Sequence, residues 1–423
     1  MDFRLAFLAV ATPVLALTAC GGGGGSTAPV TTGAQPAAAN VTSPVPSASG
    51  ATDLAPLAGG LAAPSGFTIT AIASIGGSRG LAFLPDGDLL VATSGTTIAL
   101  ILGADDGASV PVAPQTFATI DDAPDASVAY GGGAIFVGSQ HGIWRIPYAT
   151  GERTAPSQAK IVPLRTGPIA PNSDGDVHLT SSVAVSGTNL YAAVGSSCNA
   201  CAEVDPTRAA IEQAALDGSN DILYAKRIRN AIALATDPST GTVWAGGAGQ
   251  DSLPSGHPYE FFDALTSHGP VADYGWPDCE ENQHAYTAGA TCAGTVEPLV
   301  EFPAYSTLTG AAFYPANPTG AYAFPAAYRG GAFVAAHGSW HVVNGHHVPP
   351  YVAFVPMAAG RPTTAVNWND PTVQWTSFVS GFQQNDQGDN RIGRPSGIAV
   401  GPQGSLFVAD DAAGKIYRIR PRR

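Results

Sequence analysis

A chain of 423 residues with 51 glycines, 35 prolines and only 12% charged residues speaks against a helical bundle and for many turns between short strands. Its net charge of −13 disfavours nucleic acid or an anionic membrane surface as the main partner. Length alone would allow two or three domains, yet closed all-β folds often run this long as one.

The N-terminus reads as an export signal. Leu5 to Leu17 is a short, mostly apolar run behind one cation, Arg4, too short to span a bilayer as a stable helix. It ends in Leu17-Thr18-Ala19-Cys20, which resembles the bacterial lipoprotein processing box; an ordinary signal peptide with a chance cysteine is the alternative. The expectation is a signal peptide over residues 1–19, lipidation of Cys20, and a tether over residues 20–60. The tether is Gly, Ala, Ser, Thr and Pro with almost no charge, a composition that cannot bury a core. Such a protein is exported and lipid-anchored to the cell envelope, at the outer membrane facing the periplasm, with the lipid as its only membrane attachment.

Residues 61–423 carry the fold. Gly66 to Ile75 is a clean alternating strand. Leu81-Ala-Phe-Leu-Pro-Asp-Gly87 followed by Leu89-Leu-Val91 is an apolar strand, a turn and a second strand. The same phrase closes the chain in Ile398 to Val400, Leu406 to Val408 and Ile416 to Ile419, with turns at Pro402 to Gly404 and Asp410 to Gly414. Apolar and β-branched runs between Gly, Pro and Asp are what an antiparallel meander requires. Weaker copies lie at Gly132 to Ile146, Val183 to Gly195, Ile232 to Gly246 and Ala311 to Ala335. Roughly six copies predict a six-bladed β-propeller of four-stranded antiparallel blades. The strand at Gly66 is expected to complete the last blade beside Ile416 to Ile419, leaving no open edge. Ala149 to Val177, Gly249 to Pro298 and Ser339 to Arg394 read as long loops, the usual carriers of sites.

Without Cys20, four cysteines remain: Cys198, Cys201, Cys279 and Cys292. An even number in an exported domain predicts disulfides, and of the three pairings the two local ones are expected. Cys198-Asn-Ala-Cys201 also has the spacing of a redox or metal pair, but neither a βαβ context nor a second pair at metal spacing accompanies it. His178 stands at a strand entrance behind Asp174 and Asp176; it is either a general base oriented by an acid or a surface histidine in an Asp-Gly turn. Arg227-Ile-Arg229-Asn230 opens another strand. Arginine there is either solvated or a fork for an anionic ligand facing the central funnel.

The order of these segments resembles the soluble quinoprotein glucose/sorbosone dehydrogenase family, six-bladed propellers that bind pyrroloquinoline quinone (PQQ) over the channel. The resemblance covers most of Pro64 to Arg420. It is carried by Leu81 to Gly87, the His178 segment with Leu190 to Ser196, Arg229-Asn230, Tyr274-Gly-Trp-Pro277, Tyr328-Arg-Gly330 with His337-Gly-Ser-Trp340, and Gly393-Arg-Pro-Ser-Gly397. It implies that His178 is the catalytic base, taking a proton from a sugar, aldose or polyol as hydride passes to the quinone. Arg229, Asn230 and Arg394 match cofactor contacts, and PQQ, with three carboxylates, suits such cations. His337 and Trp340 would shape the substrate side, Trp340 equally fitting a packing role. Calcium acting as a Lewis acid is implied at Asp251 and Tyr274. Electrons would leave to a membrane or periplasmic acceptor.

The chain departs from that family in three places. Ser181 and Ser182 stand where an arginine commonly follows the histidine. The loop Gly249 to Pro258 offers only Asp251 before Glu260, whereas a hard cation takes several oxygens. His341 to His347 replaces an arginine-bearing phrase, and its histidines fit either a transition metal or a solvated loop. Two other functions therefore stand beside the dehydrogenase: a non-catalytic binding propeller without cofactor, and a metal-dependent lactonase-like hydrolase, which needs acids and amides converging on the axis.

Overall fold

A computed structural model describes residues 60–106, 113–163, 178–254, 256–266, 271–341, 347–385 and 390–422. The signal peptide, Cys20 and the tether up to residue 59 lie outside the described residues, as do Asp174, Asp176 and His346.

Six blade sheets are laid down in chain order, with a small two-stranded sheet, Met357–Ala358 and Arg361–Pro362, beside blade 5 in the chain. Blade 1 comprises Ser78–Phe83, Leu89–Thr93, Thr97–Ile101 and Gln115–Thr119. Blade 2 comprises Ser127–Gly131, Ala134–Gly138, Gly142–Pro147 and Ala159–Pro163. Blade 3 has Ser181–Ser186, Asn189–Val194, Ala210–Ala215 and Ile222–Lys226, extended by the short parallel strand Ala272–Asp273. Blade 4 follows with Ala231–Thr236, Val243–Gly247, Glu260–Ala264 and Val300–Phe302. Blade 5 holds Leu308–Phe313, Ala332–Ala336, Tyr351–Val355 and Thr376–Val379. Blade 6 takes Pro395–Val400, Leu406–Asp410 and Lys415–Pro421 from the C-terminus and its outermost strand, Phe67–Ser74, from the other end. This is the expected latch: Ile69 lies opposite Ile419, and Ala73 opposite Ile416. Helix among the described residues is one 3₁₀ turn, Ala326–Tyr328.

The three supposed long loops are corrected by the structure. Each contains at least one strand of a blade: Ala159–Pro163 in blade 2, Glu260–Ala264 in blade 4, with Val300–Phe302 just past the supposed loop, and Tyr351–Val355 and Thr376–Val379 in blade 5. Some of these strands are short or interrupted by acids, Val300–Phe302 having three residues and Glu260–Ala264 two acids, so they lack the continuous apolar run that marks a buried strand.

The apolar core is divided among the faces where blades meet. Trp244, Phe262, Phe302, Phe313 and Trp375 fill the space between blades 4 and 5. Phe67, Phe324, Phe333, Phe378 and Ile419 do so between blades 5 and 6. Each such side chain, removed from water, is worth roughly 1.5–3 kcal/mol.

The first strand of each blade lines the axis, and a cavity there takes residues from all six. Neighbouring inner strands run the same way. Gly80 lies against Ser127, Gly310 against Ser396 and Gly397 against Arg79, so closely that a Cβ on Gly397 would stand 2.0 Å from the Arg79 carbonyl. Because the inner strands are co-directional, the residues that begin them meet at one rim. Arg79, Asp125, Arg229-Asn230 and Arg394 are those residues, and His178 precedes the inner strand of blade 3.

Candidate functional site

His178 is half-buried and tied to the end of the second strand of blade 3. Its amide donates to the Ser196 carbonyl at 3.2 Å, and Ser196 in turn donates its amide to the Arg229 carbonyl at 2.7 Å. The ring Nδ1 lies 2.9 Å from Ser196 Oγ and 3.1 Å from the Ser196 carbonyl oxygen. Ser196 Oγ donates its own proton to the Cys198 carbonyl at 2.6 Å. The oxygens facing Nδ1 are therefore acceptors, so Nδ1 carries the hydrogen and the neutral ring keeps its lone pair on Nε2. Among the described residues the orienting group is Ser196; Asp174 and Asp176 lie outside them.

An arginine from a different segment ties down this corner. Arg208 Nη2 donates to the His178 and Ser196 carbonyls, both at 2.8 Å. Burial pushes its pKa down.

Gly195 joins His178 to Asn230. A Cβ there would stand 2.5 Å from His178 Cβ and 2.6 Å from Asn230 Oδ1, so the absence of a side chain lets histidine and amide share one corner. Asn230 Oδ1 is buried with no hydrogen-bond partner among the described residues.

Arg229 is not the open fork expected from its position. Its side chain is 4% exposed. Nε donates to the Asn199 carbonyl at 3.1 Å, and Nη2 donates to Asn199 Oδ1 and Asp251 Oδ2, both at 3.0 Å. The residues given to calcium have different partners. Asp251 meets Arg229, whereas the Tyr274 hydroxyl donates to Asp263 Oδ2 at 2.8 Å and its ring stacks on Phe261. Burial and the Asp263 charge push the Tyr274 pKa well up.

Behind Arg229 lies a small pocket lined by Tyr274, Trp276, Glu260, Glu280 and Glu281. Burial raises both Glu260 and Glu280, the latter to about 7. Glu280 accepts from Gln250 Nε2 at 2.6 Å, and Glu260 accepts from the Thr307 amide. These acids are held by protein donors. The one group of three metal-ligating side chains drawn together among the described residues is Cys198, Cys201 and Glu203, and its two cysteines are bonded to each other.

Across the rim, blades 5 and 6 bring up a second imidazole. His337 Nε2 lies 2.9 Å from Asp411 Oδ1, and Asp411 Oδ2 lies 3.1 Å from Arg79 Nε. Burial drives the His337 pKa down to about 4 against the pull of Asp411. Burial alone would raise Asp411, but the His337 hydrogen bond and the nearby arginines hold it below the usual carboxylate range. The pair is thus a neutral imidazole donating Nε2–H to a carboxylate, with the lone pair on Nδ1. Sequence reading named His337 only as a shaper of the substrate side.

Arg394 fixes this corner from beneath. Nε donates to the His337 carbonyl at 2.9 Å and Nη2 to the Gly338 carbonyl at 2.6 Å. Burial, then the charge of Arg391, lowers its pKa to about 10. Trp340 is 70% exposed, its ring 4.2 Å from that of His341, which also packs edge-on to Tyr305.

Both local disulfides are present, Cys198–Cys201 and Cys279–Cys292.

The match to known proteins agrees with this geometry at the level of fold. A TrAA12-like family model matches residues 279–422. The calcium structure of a family AA12 carbohydrate-active enzyme from Trichoderma reesei superposes with a TM-score of 0.70 at 19% identity, covering 88% of this chain and 99% of that one. The holo PQQ domain of pyranose dehydrogenase from Coprinopsis cinerea gives 0.66 at 18%, over 85% and 97%. The PQQ-bound aldose sugar dehydrogenase of Streptomyces coelicolor gives 0.55 at 16%, over 85% and 100%. An uncharacterized protein of Borreliella burgdorferi is 24% identical over 258 residues, 59% of this chain; the chain spans 62% of that relative's length. The fold is that of the PQQ-dependent soluble sugar dehydrogenases and of family AA12.

Proposed function

We propose that this protein is a PQQ-dependent dehydrogenase that oxidises a sugar, aldose or polyol. One observation carries the reading: His178, its Nδ1–H held by Ser196, shares the corner over Gly195 with the unpaired acceptor Asn230 Oδ1, on a rim that also bears Arg79, Arg229 and Arg394.

The residues present fit PQQ. An orphaned buried acceptor is costly unless a donor meets it, and the ring N–H of PQQ is such a donor. Three arginines around one channel mouth complement three carboxylates in an otherwise acidic protein. When bound, PQQ supplies a quinone that accepts hydride.

The chain's own part is to hold and move a proton. His178 Nε2 carries the lone pair that takes the proton of a substrate hydroxyl, and Ser196 keeps the ring in that tautomer. His337, held in the opposite tautomer by Asp411, is the competing base. Arg208 and Arg394 fix the backbone that presents each ring, and Trp340 offers an exposed apolar face to the substrate. Among the described residues, Asp251 and Tyr274 do not form an assembled ligand set for calcium.

The test uses the full chain. PQQ is titrated while tryptophan fluorescence and the unfolding temperature are followed, and dye reduction is read with a panel of sugars. Binding with sugar-dependent reduction supports the dehydrogenase, and His178→Ala then abolishes turnover while PQQ still binds. Absence of both binding and reduction leaves a non-catalytic propeller, the reading favoured by the internal engagement of Arg229 with Asp251.

We also infer export and anchoring of the envelope protein through Cys20, its electrons passing to an acceptor in or near the membrane. Two disulfides fit an oxidising compartment. The mass of the mature N-terminus checks this: a diacylglyceryl-modified cysteine is expected, and an unmodified Cys20 or cleavage elsewhere refutes it.

A further inference from the structure

Arg229 is among the most enclosed cations on the rim, and the residue that encloses it was singled out by nothing in the sequence. Asn199 lies between the two cysteines of the Cys198–Cys201 bridge. Its carbonyl oxygen accepts from Arg229 Nε and from Trp276 Nε1, each at 3.1 Å. Its side-chain Oδ1 accepts from Arg229 Nη2 at 3.0 Å and from the Asp251 amide at 2.7 Å, while Nδ2 donates to the Asp251 carbonyl at 3.0 Å. The Asp251 amide and carbonyl fix which way the Asn199 amide faces; turned over, it would set NH₂ against a guanidinium and an N–H.

The segment that carries Asn199 has no regular secondary structure. Cys198 is fully buried and packs with Cys201, Ala209 and Trp276, so a covalent link and a small apolar cluster stand in for a hydrogen-bonded ladder. The same segment binds the Arg229 backbone through the Ser196 amide. Main chain and side chain of Arg229 are thus both set by six residues of one short loop, Ser196 to Cys201.

We propose that Asn199, presented by the Cys198–Cys201 loop, is the positioning residue that aims the Arg229 guanidinium at an anionic cofactor, and that opening the bridge loosens cofactor binding. The inference rests on the reading of this rim as a PQQ site. Opening consumes two electrons and two protons from a dithiol such as dithiothreitol, which leaves as a cyclic disulfide while Cys198 and Cys201 become thiols. Asn199 then loses its fixed backbone, and Arg229 keeps Asp251 but loses the acceptors that set the plane of its fork.

The experiment measures PQQ affinity of the full chain by tryptophan quenching, with the cofactor-free unfolding midpoint recorded for each variant. Asn199→Ala weakens PQQ about tenfold or more, the equivalent of one charge-assisted hydrogen-bond set. In an Arg229→Ala background the same change has no further effect, a coupling that loss of general stability would not produce. In Cys279→Ser/Cys292→Ser protein, which keeps only the bridge in question, dithiothreitol weakens PQQ by a similar factor. In Cys198→Ser/Cys201→Ser protein, affinity is already reduced and dithiothreitol changes it little. Equal affinity of wild type and Asn199→Ala, or an equal loss in the Arg229→Ala background, overturns the proposal while leaving the PQQ reading intact. A wild-type chain that binds no PQQ overturns both.

Discussion

His337 owes its protonation state to burial, and that has a consequence for stability. In an unfolded chain an imidazole takes up a proton below about pH 6.5; in the folded protein this one resists until about 4. Between those values the unfolded state binds the extra proton, so stability is lost as pH falls through the window. Asp411, held low, adds a loss in the same direction at more acid pH. Urea denaturation at pH 7 and pH 4 should show wild type losing roughly 3 kcal/mol more than His337→Gln over that interval. If the two proteins lose stability in parallel, His337 is not a neutral buried imidazole. At this scale the sequence revealed residues whose evidence is local: His178 beside its strand, Arg229-Asn230 together, cysteines close enough to pair. Asn199 and Asp411 escaped notice because their partners are distant, 30 residues away for Arg229 and 74 for His337. Nothing near either one in the chain hints at the meeting.

Among the elements, the strand Phe67–Ser74 has the largest structural role for its length. It covers the outer edge of blade 6 and inserts Phe67 among Phe324, Tyr328 and Phe378 of blade 5, with ring centroids 4.7, 5.4 and 5.1 Å away. Phe67→Ala removes that anchor and should cost about 3–5 kcal/mol, read as a lower urea midpoint with earlier proteolysis near residues 60–75. An unchanged midpoint would show that backbone pairing alone holds the strand. This strand was legible because it alternates cleanly and ends a repeat that lacked a fourth member. The outer strands of blades 2, 4 and 5 were not. Val300–Phe302 is three residues long, below the length at which period-two alternation can be told from a loop.

At the scale of the molecule, the architecture was readable because one phrase recurs and a closed ring is the arrangement that buries every copy on both faces. The rim was half-readable. That inner strands begin at one end follows from the propeller; how their first residues are then held, as Arg229 is by Asn199, depends on packing between blades. The ring is also closed by hydrogen bonds between its first and last strands, such as Lys415 Nζ to Ser74 Oγ, 341 residues apart. At ribosomal rates of about 5–20 residues per second, roughly 17–70 seconds separate the emergence of those partners. For that interval the earliest strand of the fold has no neighbour to pair with, and its bare edge is open to any other extended chain. The last blade is therefore the one that finishes the structure, and a ribosome stalled within it would hold a ring that cannot shut.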